Sequence, residues 1–276
     1  MTVLLKTCYP QPRFPPLSLS GVTCRLLCRH CNAAYLGGML PAETPEALVA
    51  VCRTLREKNA VGVLLSGGSD RDGSLLNLKP LLGAIALVRR ETGLIVNIHP
   101  GLVDDVTARR LAVDFASLEI PRDDVVADVF GLPFKTADYL AAYRRLRGAG
   151  ARVVPHISVY TGGEDALLDA LEAPEVVVVI VFSPTPGTQM ARARPPAPET
   201  VAGVIARIKA RFPEAEIALG CSGWSCPPAR PSRSPGRRAT RLRRSTPAAP
   251  CRESTSRWRG RGEQMSCQCS LEASAK

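Results

Sequence analysis

The sequence is poor in aromatic residues, in histidine and in long apolar runs. Aromatic residues account for 5% of the 276 residues, and there are three histidines. The longest apolar run, at 176–182, is too short to cross a bilayer but has the length of a strand buried on both faces. The N-terminal segment lacks the apolar stretch of a secretory signal. We therefore expect no membrane partner and a cytoplasmic location.

A regular cysteine framework is also missing. The ten cysteines are irregularly spaced in a long chain, which does not indicate a small disulfide-stabilised secreted domain. We therefore expect the protein to occupy a reducing compartment. With 45% apolar residues, the chain has enough material for one large barrel-type domain or two ordinary ones.

The positive charge is concentrated in one segment. Of the 36 basic and 25 acidic residues, 12 and 3 lie at 222–276, so this tail carries +9 and residues 1–221 carry +2. The tail contains no Val, Ile or Phe, and burial cannot offset the entropy cost of ordering it. We predict a folded domain at 1–221 and a disordered basic tail rich in Arg, Pro and Ser at 222–276.

Three interpretations of this tail remain open. It is a reading-frame artefact of GC-rich coding DNA, a solvated segment without function, or an arm that binds nucleic acid or another anionic surface. An artefact predicts a strand-and-helix pattern in another reading frame beyond codon 221, whereas the other two interpretations do not. We do not expect nucleic acid as a partner.

Before residue 221, short apolar strands alternate with helical patterns. Strands are predicted at 17–20, 61–65, 94–98, 115–120, 153–158, 176–182 and 216–219. Helices are predicted at 45–58, 78–91, 106–111, 137–148, 164–171 and 198–212. Six or seven βα units predict an α/β fold, a partial (β/α)6 TIM-type barrel whose active site lies at the carboxyl ends of the strands.

Three cysteines follow the first predicted strand in the run CRLLCRHC, as Cys24, Cys28 and Cys31. Three thiolates on one loop can hold an iron–sulfur cluster and leave one iron without a protein ligand. The arginines between them indicate a polar loop, and cations lower the pKa of nearby thiols.

Two other interpretations of these cysteines stay open. Their spacing also fits one buried face of a helix, because free cysteine behaves as a small hydrophobic residue. Structural zinc usually needs four protein ligands, so it would require Cys8, His30 or Cys221 as the fourth.

Polar segments follow the later strands, where a barrel collects its active site. They are SGGSD (Ser66, Gly67, Gly68), NIHPG (His99), EIPRDD (Glu119), PHIS (His156) and SPTPGT (Pro184). Each also has a structural interpretation. Paired glycines and prolines turn the chain, histidines are often structural, and Glu119 is placed to pair with Arg122.

Taken in order, FPPLSLSG, CRLLCRHC, SGGSD, VNIHPG, VVPHIS and SPTPGT resemble the radical S-adenosylmethionine (radical SAM) superfamily, close to biotin synthase and the two-protein type of lipoyl synthase. The resemblance covers residues 14–221. It implies a [4Fe-4S] cluster on the three cysteines, with the fourth iron chelated by S-adenosylmethionine. One electron then breaks the sulfonium bond, and a 5′-deoxyadenosyl radical abstracts hydrogen from the substrate.

The resemblance also implies roles for individual residues, and it assigns none as catalytic beyond the cluster ligands. The cofactor-binding set is His30, Ser66, Gly67, Gly68, His99, Glu119, His156 and Pro184. In the family, backbone carbonyls of the glycine stretch meet the amino group of the nucleotide. Ser69 stands where an acid is commoner.

Partners follow from the same resemblance: a reducing electron donor such as a ferredoxin or flavodoxin, and a substrate that is a small molecule or is bound to a carrier protein. Sulfur insertion, as in lipoyl or biotin synthesis, would consume a second cluster. Cys8 and Cys221 are too few ligands to secure that cluster, so it is left open. The alternative functions are metal binding without radical chemistry, as a zinc or electron-transfer iron–sulfur protein, and nucleic-acid binding through the tail.

Overall fold

A computed structural model describes residues 12–220 and the backbone of two short strands, at 5–7 and 270–271. The predicted tail, apart from the second of these strands, lies outside the described residues. Its disorder, its origin and the domain boundary at 221 therefore stay predictions. No helix in the described parts has the length and apolar content needed to cross a bilayer.

The strands form one sheet. They are β1 (Leu5–Thr7), β2 (Pro16–Ser18), β3 (Leu40–Pro41), β4 (Gly62–Ser66), β5 (Ile95–Ile98), β6 (Phe115–Glu119), β7 (Val153–Val159), β8 (Val176–Val181), β9 (Glu216–Gly220) and β10 (Ser270–Leu271). Their order is β10-β1-β9-β8-β7-β6-β5-β4-β2-β3, and all neighbours are parallel except β10 and β1. The predicted α/β partial barrel is confirmed.

Helices connect most successive parallel strands. They are α1 (Pro45–Glu57), α2 (Leu78–Thr92), α3 (Asp105–Arg110), α4 (Asp123–Val125), α5 (Thr136–Gly148), α6 (Asp165–Ala170) and α7 (Pro198–Arg211). A 3-10 turn covers Leu36–Gly38, and a π-helical segment, Val126–Phe130, continues α4. The start of α1 shows why the boundaries were predictable, because Thr44 caps the backbone N–H of Ala47 and Pro45 occupies the first turn.

Alternation along the strands separates two faces. One face packs under the helices and is fully buried and aliphatic, as at Val96, Ile98 and Leu118. The other face carries polar side chains toward the carboxyl ends of β6 and β7, including Glu119 and His156, and His99 directly follows β5. Register places Glu119 directly beside His156. Polar groups that are far apart in the chain therefore share the inner face of the partial barrel.

Candidate active site at the carboxyl ends of the strands

The three cysteines lie on the irregular loop between β2 and β3, and none of them is helical. All three side chains are half-buried, so their interpretation as core positions on a helix is wrong. Cys24 Sγ lies 3.9 Å from the carbonyl of Ser69, and Cys28 Sγ lies 4.0 Å from that of Phe130. The cysteine loop, defined here as residues 21–34, is thus packed between segments that follow β4 and β6.

Ser20 attaches the cysteine loop to the glycine pair. Its buried Oγ accepts a hydrogen bond from the Gly68 N–H at 2.7 Å and donates one to the Thr23 carbonyl at 2.9 Å. A Cβ on Gly68 would lie 2.0 Å from the Thr23 oxygen and 2.5 Å from the Cα of Cys24. Only glycine permits this approach of the two backbones.

Replacing Ser20 with alanine is expected to lower the free energy of unfolding by about 2 kcal/mol, because the buried Gly68 N–H loses its acceptor. Urea unfolding measures this loss, and iron content after reconstitution measures its effect on the loop. Ser69→Ala is the matched control, since the Ser69 hydroxyl has no hydrogen bond within residues 12–220. Equal stability of the two variants would contradict the role assigned to Ser20.

Arg29 attaches the other side of the loop. Its backbone N–H donates to the Val129 carbonyl at 2.9 Å, and its guanidinium donates to the Asp128 carbonyl and to Gln189 Oε1, each at 3.0 Å. The Met190 N–H in turn donates to the Arg29 carbonyl at 3.2 Å. The loop is therefore held by the π-helical segment and by the connection that follows β8.

The SPTPGT segment lies beside the end of the cysteine loop. Pro184 is half-buried three residues after β8 ends, and the buried Thr185 beside it contacts Tyr35, which follows the cysteine loop. The Tyr35 hydroxyl lies 2.6 Å from Thr185 Oγ1. The fold thus brings a segment 150 residues distant in sequence against Tyr35, just after the cysteine loop.

Glu119 is enclosed at the end of β6. Burial raises the pKa of its carboxyl, while a hydrogen bond from Ser158 and the charge of His30 act in the opposite direction. Glu119 Oε1 and His30 Nδ1 are both buried without a hydrogen-bond partner in the described part of the chain. One of these unsatisfied atoms therefore lies on the cysteine loop, and the other lies at the end of β6.

Of the two interpretations of Glu119, the structural one, a pairing with Arg122, is wrong. Arg122 forms hydrogen bonds with Asp124 and with Thr161 Oγ1, and its Nη1 lies 3.8 Å from Glu164 Oε1. Its side chain is engaged in the loops after β6 and β7, whereas Glu119 occupies an inward position of β6. Strand alternation, rather than closeness in sequence, decides the surroundings of this carboxylate.

The ring of His99, directly after β5, contacts the ring of His156 on β7. Their rings are in edge-to-face contact, with centroids 5.2 Å apart. Neither ring has a hydrogen bond within residues 12–220. Burial lowers the pKa of both imidazoles, to about 4 for His99, so both rings are neutral at pH 7.

Acid is expected to destabilise the protein through His99. Its pKa is about 4 in the folded chain and 6.5 when exposed, so the unfolded chain binds more protons between these values. Its contribution to stability is complete above about pH 6.5 and falls as the pH drops toward 4, by about 2 to 3 kcal/mol. Urea unfolding between pH 4 and pH 7 measures this fall.

A His99→Gln variant provides the comparison for this pH profile. Glu119, whose raised pKa acts in the opposite direction, is present in both proteins, and the difference between the two profiles reports His99 together with its charge effect on the pKa of His156. The variant should lose less stability toward acid. Parallel profiles would show that His99 is not the group responsible.

The cysteine loop favours at least one thiolate. The pKa of Cys31 is lowered by a hydrogen bond with Cys28 and by hydrogen bonding and charge from His30. That of Cys28 is raised by the same hydrogen bond and by burial. Thiolates are the form of cysteine that binds metals.

A single metal ion and a cluster make different demands on the positions of their ligands. Zinc requires its ligands around one point, at about 2.0 to 2.3 Å. Across the described residues, no three His, Cys, Asp or Glu side chains converge in this way. A [4Fe-4S] cluster binds each thiolate to a different iron atom, so its three cysteines need not converge on one point.

Several contributors to the site carried no recognisable signal in the sequence. Tyr160 stacks on Phe182 with centroids 5.1 Å apart, and its ring lies edge-on to His30. Glu164 is buried, and its Oε2 lies 3.7 Å from Arg207 Nη2. Phe182 and Glu164 lie at the ends of predicted elements. The sequence pattern there indicates where the element ends, but it does not indicate which residues the side chain contacts.

Solved structures share this fold. Methylornithine synthase (PylB) superposes with a TM-score of 0.57 and 21% identity, over 78% of this chain and 64% of that one. Streptococcus suis SuiB bound to S-adenosylmethionine superposes with a TM-score of 0.56 and 13% identity. SuiB bound to its precursor peptide SuiA superposes with a TM-score of 0.55 and 13% identity. Both SuiB comparisons cover 77% of this chain, and 52% and 50% of SuiB.

This chain therefore spans just under two thirds of PylB and about half of SuiB. The fold of the radical SAM enzymes, which the sequence resemblance implies, is confirmed. No protein-family model and no curated protein matches the sequence.

Proposed function

We propose that this chain is a radical SAM enzyme that holds a [4Fe-4S] cluster on Cys24, Cys28 and Cys31 and S-adenosylmethionine beside it. One observation carries the proposal: three half-buried thiols share a non-helical loop at the carboxyl ends of a radical SAM fold. When bound, the cluster supplies the electron that cleaves the sulfonium and starts hydrogen abstraction. The structure of SuiB bound to S-adenosylmethionine supports the choice of nucleotide.

The carbonyl of Gly67 is the best placed acceptor for the amino group of the nucleotide. The carbonyls of Ser66, Gly68 and Ser69 already accept hydrogen bonds, from Leu19, Leu76 and Arg25 respectively. Within residues 12–220, that of Gly67 accepts none. The packing of Gly68 against Cys24 keeps this acceptor beside the cysteine loop.

Glu119 and His30 supply side-chain contacts in this proposal. Glu119 Oε1 is a buried acceptor without a donor, and a ribose hydroxyl would satisfy it. The stacked rings of Tyr160 and Phe182, with His30 beside them, offer a flat surface suited to an adenine. His99 and His156, on the inner face of the partial barrel, would contact the nucleotide or the substrate. Pro184 would border the nucleotide.

Narrower features of the reaction belong to the same proposal. The substrate is a small molecule or a carrier-bound group, and the electron donor is a ferredoxin or flavodoxin. We place the activity in the cytoplasm, because the chemistry requires reduced cysteines. Sulfur insertion with a second cluster depends on Cys8 and Cys221, which lie outside the described residues.

Anaerobic reconstitution tests the proposal. The full chain is loaded with iron and sulfide, reduced with dithionite and supplied with S-adenosylmethionine. Formation of 5′-deoxyadenosine is the expected result. Bound iron without cleavage of the nucleotide would favour an electron-transfer protein, and binding of zinc alone would overturn the cluster assignment.

A further inference from the structure

The inner face of the partial barrel is open. In a closed barrel of this type, side chains fill the interior. Here the inward-facing residues of the central strands are only half-buried, whereas the residues between them are buried under the helices. The half-buried inward positions include Leu64 on β4, Asn97 on β5, His156 on β7 and Val178 on β8. The interior is therefore a space that a ligand can occupy rather than a packed core.

Strand register divides this inner face into an aliphatic part and a polar part. Val178 lies beside His156 on one side and beside Ala218 on the other. Leu64 lies beside Asn97. The polar part lies on β5, β6 and β7 and comprises Asn97, His99, Ser117, Glu119 and His156. A ligand in this space therefore meets apolar side chains on one side and hydrogen-bonding groups on the other.

Asn97 presents donors that nothing in the described chain accepts. Ser117 Oγ donates to Asn97 Oδ1 at 3.1 Å, so the oxygen of this side-chain amide is already occupied. The NH2 group of Asn97 has no acceptor among residues 12–220, and it is not sealed from solvent. Because the group is neither satisfied nor enclosed, it is placed to donate to a ligand.

His99 and His156 add one donor each. Both rings are neutral at pH 7, and a neutral imidazole has one N–H donor and one acceptor nitrogen. None of their nitrogens is bonded to the described part of the chain, and none is sealed from solvent. His99 follows Asn97 by two positions, which puts both on the same face, and its ring contacts that of His156. The three side chains therefore form one group of donors.

The charges around this group disfavour a charged ligand. Strands β2 to β9 contain no Lys or Arg, and register places the carboxyl of Glu119 beside His156. Arg29 and Arg122, on loops beyond the strands, are engaged by other oxygens there. A carboxylate or phosphate on the ligand would lie unpaired near Glu119, which is costly in a partly enclosed site. An ammonium group has no lone pair to accept from Asn97.

From this arrangement we infer that Asn97, His99 and His156 select a substrate whose aliphatic chain carries an uncharged carbonyl group. The inference rests on the proposed function, because it names the class of substrate on which the proposed enzyme acts. The carbonyl oxygen accepts from the Asn97 amide and from an imidazole N–H. The aliphatic chain packs against the apolar part of the inner face, at Leu64 and Val178.

Histidine NMR of the full chain tests this inference, because the sequence has three histidines. The probe is hexanamide, added at pH 7 to protein labelled with 15N-histidine, without cluster or nucleotide. The signals of His99 and His156 should shift, and those of His30, on the cysteine loop, should not. Hexanoate and hexylamine carry a chain of the same length with a negative and a positive charge. We expect a Kd at least about tenfold higher for each of them.

Three outcomes of the probe series would overturn the inference. They are hexanoate or hexylamine binding as tightly as hexanamide, a shift of His30 in place of His99 and His156, and no shift with hexanamide up to about 50 mM. Each outcome is read from the parent chain, so none depends on the folding of a variant.

Asn97→Asp should change the preference among the probes. The variant keeps the acceptor for Ser117 but replaces the NH2 donors with an anionic oxygen. Hexanamide should bind at least about tenfold more weakly, and hexylamine should bind more tightly than to the parent. Asn59→Asp is the matched control, because Asn59 is exposed after α1 and aspartate tolerates its left-handed φ of +61°. A folded Asn97→Asp protein with the selectivity of Asn59→Asp would contradict the role of Asn97.

The probe experiment separates this inference from the proposed function. Binding of hexanamide requires neither the cluster nor S-adenosylmethionine, so it is measurable in a chain that does not cleave the nucleotide. If dithionite produces no 5′-deoxyadenosine in the reconstituted chain, the proposed function fails. If the nucleoside forms, and the histidine signals respond to hexanoate as strongly as to hexanamide, the assignment of the substrate class alone fails.

Discussion

Replacing Cys28 with alanine is expected to abolish the brown absorbance of the reconstituted protein and to lower 5′-deoxyadenosine formation more than about 100-fold. Changes outside the ligand shell of a metal site already cost about 10- to 100-fold, and loss of a direct ligand costs more. Visible absorbance, iron content and quantification of the nucleoside check this result. Unchanged iron in the variant would contradict the ligand role of Cys28.

Cys52→Ala is the control for that experiment. Cys52 is fully buried on α1, and burial raises the pKa of its thiol to about 12, so it stays protonated in the core. Its replacement should cost about 1 to 2 kcal/mol of stability through lost packing and leave the iron content unchanged. Comparison of Cys28→Ala with Cys52→Ala therefore separates the effect of losing a cluster ligand from the effect of losing any cysteine.

Gly68→Ala is the second change with a large expected effect. The added methyl group would meet the Thr23 carbonyl and the Cα of Cys24, and neither backbone atom can move away by rotating a side chain. Overpacking of this kind costs about 1 to 3 kcal/mol. Because the contact lies on the cysteine loop, we also expect a fall in nucleoside formation of about 100-fold or more.

Gly83→Ala is the matched control for Gly68. Gly83 lies on the exposed side of α2, and a Cβ there would meet no atom within 4 Å. Alanine should therefore stabilise the helix by about 0.5 to 1 kcal/mol and leave nucleoside formation unchanged. Urea unfolding and the nucleoside assay are run on both variants. A Gly68→Ala protein as active as Gly83→Ala would refute the close packing of the cysteine loop on the glycine pair.

The elements of the barrel could be predicted because their signals are local. The run Val176–Val181 and the capped start of α1 each show their period and boundaries within a few residues. Both elements start where predicted, and each ends one residue earlier. Short or irregular elements escaped prediction. The two-residue strand β3 and the π-helical segment Val126–Phe130 are held by tertiary contacts rather than by a repeating pattern.

By itself, the sequence determined the βα alternation, the loop that carries the three cysteines and the polar segments at the strand ends, because periodicity and spacing act between neighbouring residues. Only the tertiary structure decided that Ser20 bonds Gly68, that Glu119 turns away from Arg122 and that His99 meets His156. Those contacts follow from strand order and register, which pair residues tens of positions apart. A one-residue shift in register would reverse the face of each side chain without altering the local pattern that predicts the strand.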